Sequence, residues 1–155
     1  MATNKLSVKA VNREAVILEW VRSNENLPSY PLLNLLREKP ESCAVISVPS
    51  ATAKKYINHT QANPSCVRRY DFALTQTHSL SDATDSVNTD AMYEMRQWVE
   101  WIGEQEAAKN YPDFGKNTKM ILLEVLDDVP IWTQVSPDTV KLMLQARLTY
   151  IEKGV

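Results

Sequence analysis

From Thr139 to Ile151 the chain alternates without a break. Val140, Leu142, Leu144, Ala146, Leu148 and Tyr150 fall on one parity; Lys141, Met143, Gln145, Arg147 and Thr149 fall on the other. A period of two puts each set on its own side of a β-strand, so this segment demands a sheet with one buried face. Leu142, Leu144, Leu148 and Tyr150 are therefore expected in the core. Val67 to His78 alternates as well, with Tyr70, Phe72 and Leu74 opposed to Arg69, Asp71 and Thr75, and reads as a half-buried strand. Cys43 to Val48 is rich in β-branched residues and stops at Pro49, as a strand would. Met120 to Leu126 is a further strand. The stretch after it, through Pro130-Ile131-Trp132 and Ser136-Pro137-Asp138, reads as a sizeable loop joining an antiparallel pair.

Elsewhere the period changes to that of a helix. Val8, Val11, Ala15, Leu18 and Val21 recur every three or four residues, predicting a helix over 8–21 with Ser7 placed to cap it. Ala91, Met92, Met95, Val99 and Ile102 predict a second helix from Thr89 to Ala108, capped by Thr89 or Asn88, with Val99 and Ile102 in the core. Asp90 and Glu94 lie in its first turns and Lys109 near its end, as the helix dipole favours. Ser79 to Thr89 reads as a mobile loop. Leu32 to Leu36 fits a helical turn or an extended connector, and Lys54-Lys55-Tyr56-Ile57 fits a minor strand or part of a loop. The order of elements predicts an α+β fold, a mostly antiparallel sheet of about four strands covered by two main helices, in a single domain over 1–155.

Composition narrows the function classes. At 155 residues, 44% hydrophobic and 23% charged, the chain can build a core without disulfides or a structural metal. Three glycines cannot supply a G-x-G-x-x-G or Walker loop, so those routes to nucleotide binding are excluded. No uncharged run is long enough to span a bilayer as a helix, and no apolar signal segment opens the sequence, which predicts a protein that stays in the cytoplasm and meets no membrane. Cys43 and Cys66 are expected as buried thiols.

The net charge of -2 conceals an asymmetry. Residues 1–70 carry 10 Lys+Arg against 5 Asp+Glu, residues 71–155 carry 7 against 14, and the halves are therefore +5 and -7. Between Asp82 and Glu106 seven acids face one base, Arg96, a segment that repels a phosphate backbone.

The residues that carry chemistry are sparse. His59 and His78 stand nineteen positions apart in polar stretches and read as exposed or loop histidines. A small enzyme of the acyl-transfer type using Cys66 or His78 is the alternative reading, without a local signature behind it. Asp127-Asp128 and Asp82/Asp85 lack the spacing of a cation loop, so no metal and no cofactor are expected. Lys54-Lys55 and Arg68-Arg69 are weak as a nucleic-acid site in an acidic chain. Trp98 and Trp101 read as helix packing. Trp132, between prolines, marks either a partner surface or a cover over the sheet.

Lys55-Tyr56-Ile57, Arg69-Tyr70, Val99-Glu100-Trp101-Ile102 with Gln105, Pro112 and Gly115, Glu124-Val125-Leu126, Asp138-Thr139, and Gln145 with Arg147-Leu148 and Tyr150 follow one another in a characteristic order. Over roughly residues 40 to 152 that order resembles the tail terminator (minor capsid or tail completion) family of long-tailed phages of Gram-positive bacteria. The resemblance implies a virion protein without catalytic residues. It implies a homohexameric ring that caps the tail tube at its head-proximal end, stops tube polymerisation and offers a surface to the head connector, after assembly in the host cytoplasm. A head-to-tail ring needs two different surfaces. The charge split nominates Lys54, Lys55, Arg68 and Arg69 for one and Asp90, Glu94, Glu100 and Glu104 for the other, with Trp132 as an apolar contact. DNA passing through such a ring would meet acids and not bind, and Asp82 and Asp85 are the expected lumen or tube-facing loop.

Overall fold

The longest feature of the structure, a computed structural model, is a pair of fourteen-residue antiparallel strands, β4 (Cys66–Ser79) and β7 (Thr139–Glu152), joined in register from Cys66↔Glu152 to Ser79↔Thr139. The structure describes residues 12–25, 32–33, 43–48, 54–56, 65–79, 85–127 and 129–153. Around the central pair stand α1 (Arg13–Arg22), β1 (Leu32–Leu33), β2 (Cys43–Val48), β3 (Lys54–Tyr56), α2 (Asp85–Ala108), β5 (Thr118–Val125) and β6 (Ile131–Ser136).

The class is α+β, and the main path β1-β2-β4-β7-β5 has five strands where about four were expected. All described pairings are antiparallel except β1 with β2. The two strands off that path occupy the same flanks in tandem. On β4, β3 pairs with 66–68 and β2 with 71–76; on β7, β5 pairs with 146–152 and β6 with 139–143. The expected sizeable loop is thus a six-residue strand, β6, and a tight turn. Pro130 precedes the strand, and Pro137 takes the second position of the Ser136–Thr139 turn, where its fixed φ is favourable. Ser136 Oγ donates to Asp138 Oδ1 at 2.7 Å, and this bond holds the Asp138 carboxyl below its usual range.

The even-numbered face of β4 and β7 is the core. Phe72, Leu74, Leu142, Leu144 and Leu148 are fully buried there and Tyr150 nearly so, as the alternation predicts. From α2, Ala91, Met95, Trp98 and Ile102 lie against this face, and Val99 is partly buried beside them. The expected half-burial of β4 does not hold: residues 71–78 are buried on both parities. Asp71 is accommodated by a bidentate bond from Arg147, 2.8 Å from Nε and 3.1 Å from Nη2.

Both helices differ in detail from the expectation. Among the described residues α1 begins at Arg13, where the Asn12 side chain accepts from the Ala15 N–H at 3.1 Å; the Ser7 cap and residues 8–11 lie outside the described residues. Its buried side chains are Ile17, Trp20 and Val21, whereas Ala15 is exposed. The larger area of Ile17 and Trp20 decides which face turns inward. Helix α2 starts at Asp85, so Asn88 and Thr89 lie inside it and are not its cap. A Ser/Thr/Asp-rich composition suits a helix's first turn as well as it suits a loop, and the acidic start fits the helix dipole. Leu32–Leu33 is extended, and Lys54–Tyr56 is a minor strand.

One denaturant series separates core from surface. Leu144→Ala should lower stability by about 2–5 kcal/mol. Gly103→Ala should raise it by about 1 kcal/mol, because Gly103 is exposed within α2 and an added methyl would meet nothing within 4 Å.

Candidate functional site

The basic residues nominated from sequence meet at one end of the central pair, and the sheet divides them. Lys54 pairs with Arg68 and Lys55 with Val67 in the β3–β4 ladder. Arg68 Nη1 donates to Glu152 Oε2 at 2.9 Å, and Arg13 Nη2 donates to the same oxygen at 3.1 Å. Burial opposes the charge on Arg68, yet the bond to Glu152 leaves the guanidinium's pKa raised, so Arg68 is engaged within its own chain. The Arg13 guanidinium also lies 5.9 Å from the Phe114 ring centre and 5.8 Å from that of Tyr150. Arg69 is exposed and has the opposite parity to Arg68, on the face turned away from the helices.

The acidic nominees separate less. Glu94, Glu100 and Glu104 line a cleft of about 280 Å³ together with Trp98 and Trp101; Asn24 and Gln97 complete its wall. Asp90 is exposed on α2 and outside that lining. Trp98 and Trp101 are the aromatic lining of the cleft. Trp101 lies 4.7 Å from Trp20 between ring centres, tilted by 49°, and meets Trp98 edge-on at 5.7 Å, while Trp20 Nε1 donates to the Asn110 carbonyl at 3.0 Å. Trp98 is buried, in keeping with helix packing, but Trp101 is half-buried and fronts the cleft as well. The sequence signal for this grouping is the helical spacing of 94, 97, 98, 101 and 104, which places acids and indoles on one face.

The third surface is the outer flank of β7. Val129, Ile131, Trp132 and Val135 are exposed by between 41% and 57%, and Ile121, Leu122 and Leu126 continue the apolar series along β5. Trp132 stands on an edge strand, not in a loop. The register of β5 shifts between Met120 and Leu122, and the Glu106 carboxylate accepts from the Leu123 N–H at 2.9 Å, tying α2 to this edge. Burial works against the Glu106 charge, but that bond and those with Tyr111 and Lys109 hold its carboxyl below the ordinary range. Asp82 lies outside the described residues, and Asp85 is the first residue of α2, not part of a loop. The two flanking prolines obscured the strand character of Ile131 to Val135.

Among the described residues, His78 and the two cysteines do not form one site. His59 lies outside the described residues. His78 is buried on β4, contrary to the expected surface position, with Nδ1 3.6 Å from Glu94 Oε2. It has the even parity of Phe72 and Leu74 and so lies on the face that α2 covers, which the polarity of its sequence neighbours does not signal. Cys66 is twelve residues from His78 along the same strand, about 40 Å at the rise of an extended chain, so the two cannot act together. Cys43 stands opposite Gln76 and is nearer, but burial pushes its thiol up to about 12. Among the described residues no three His, Cys, Asp or Glu side chains gather as a metal ion requires, and no described helix is long and apolar enough to cross a membrane.

No protein-family model matches the chain, and no curated protein matches it.

The Cys43 environment is testable by alkylation. At pH 8 the thiol should stay protonated, and mass spectrometry should find Cys43 unmodified by iodoacetamide in the folded protein and fully modified after denaturation.

Proposed function

We propose that the chain is a structural virion protein that forms a ring on the tail tube of a long-tailed phage, ends tube polymerisation and presents a surface for head attachment. The observation that carries this reading is the exposed apolar edge formed by β5 and β6, with Ile131, Trp132 and Val135 at its outer half. An uncovered edge strand with large apolar side chains favours aggregation in a monomer, and a closed ring offers each such edge a partner without leaving one over. The family resemblance of residues 40 to 152 supplies the kind of ring, its tube and connector partners, and passage of DNA through its lumen without specific binding. Its place would be the head-proximal end of the tail, after assembly in the host cytoplasm. The cleft acids and the separated basic residues add surfaces of opposite sign that would orient one copy against the next.

The test is tube capping. Purified full-length chain added to polymerising tail-tube protein of the same phage should bind tube ends and narrow the length distribution seen by electron microscopy. Ile131→Ser with Trp132→Ser should remain folded and bind ends at least about tenfold more weakly, since aromatic anchors carry most of an interface's affinity. A folded wild-type chain that neither binds ends nor alters tube length would overturn the proposal.

A further inference from the structure

Strand β6 is an outer strand of the sheet. Among the described residues it pairs with β7 alone, and no other backbone-to-backbone bond reaches 131–136. Alternate N–H and C=O groups of an antiparallel edge strand point away from its neighbour, so β6 turns a row of main-chain donors and acceptors outward. Edge strands are commonly blunted by charge, lysine above all, yet residues 129–137 hold no Asp, Glu, Lys or Arg. The side chains are open on both faces as well. Trp132 and Gln134 share a face with Leu142 and Val140, which are fully buried, but are themselves exposed; Ile131 and Thr133 are exposed on the other face. The cover over β7 stops short of β6.

We infer that β6 receives an extended segment of a second copy of the chain, bonded main chain to main chain, so that the sheet runs on from one subunit into the next. The area involved argues for a folded partner and against a short peptide. Four apolar residues on or beside β6 and three along β5 or at its end are exposed by 37% to 57%, and because β5 and β6 lie in tandem on β7 they form one flank. Together they present on the order of 600 Å² of apolar surface, the upper end for a protein that works alone; with a polar rim this approaches the roughly 800 Å² that each partner buries in a stable complex. A single strand laid on the six residues of β6 would leave the β5 half open. Strand addition uses main-chain bonds for alignment and apolar side chains for affinity, and β6 supplies both. Pro130 and Pro137 bracket the strand, which confines the pairing to these six residues and fixes where it starts and stops. The inference rests on the ring reading for its choice of a second copy, and it names the bond by which the copies join.

Amide hydrogen exchange of the full-length chain, read by mass spectrometry below and above its assembly concentration, tests it. Peptides covering 131–136 should exchange about tenfold or more slowly once the chain assembles, because amides that face solvent in the single copy become bonded. Thr133→Glu supplies a second readout. Residue 133 stands opposite Lys141, so the new acid has a partner within its own chain while it places a charge on the open edge. Its half-assembly concentration in sedimentation velocity should rise about tenfold or more, whereas Thr133→Gln should assemble as the wild type does. Assembly without slower exchange at 131–136, or a folded Thr133→Glu chain that assembles like the wild type, would overturn the strand pairing and leave the ring intact. If thermal melts show that Thr133→Glu does not fold, the exchange of the wild type decides alone. A wild type that stays monomeric at every concentration, with or without tube ends, would overturn the ring reading and this pairing with it.

Discussion

The pairing of β4 with β7 is the constraint on which the rest of the molecule depends. Fourteen consecutive residue pairs fix two long strands against each other. A slip of one residue would turn Leu142, Leu144 and Leu148 to the opposite face and bring Lys141 and Arg147 into the core. The bidentate bond of Arg147 to Asp71, direct partners on the other side of the sheet, opposes that slip, which would put the two side chains on opposite faces. With the register held, the aromatic contacts follow. Phe114 meets Tyr150 at 5.2 Å and Tyr70 at 5.8 Å, and Trp20 reaches Phe72 at 6.2 Å, so α1 and the segment after α2 lock onto the same face.

The same pairing decides which surfaces remain for other molecules. Helices occupy the even face, and the tandem strands β5 and β6 end the sheet on one side. What they leave outward is an apolar edge and an acid-lined cleft on α2. In the proposed ring, apolar contact would supply affinity and charge orientation, since exposed ion pairs contribute only about 0 to 1 kcal/mol each. A subunit that must join identical copies in one direction needs both.

The fold was legible where periodicity is long and uninterrupted. The alternation after Thr139 located β7 and its core residues, the β-branched run located β2, and the apolar spacing after Ala91 located α2 and its end near Ala108. It was illegible where local composition serves two structures equally. Two prolines made β6 look like loop, and Ser, Thr and Asp before Thr89 made the first turn of α2 look like loop as well. Face assignments failed where the deciding contact is distant in sequence: Asp71 is buried where Arg147 pairs with it, and His78 where α2 brings Glu94 against its strand. Of the candidate site, the acids Glu94, Glu100 and Glu104 could be named from charge alone. The helical spacing also puts Trp101 on their face, but the approach of Asn24 was not legible, because it follows the end of a different helix.

Self-association into a closed ring is the central claim, and native mass spectrometry of the full-length chain tests it most directly. The account predicts one discrete assembly of about six copies, with no ladder of larger species, because a head-to-tail contact that closes leaves no free end. A monomer at every concentration, or an open series of growing oligomers, would contradict it.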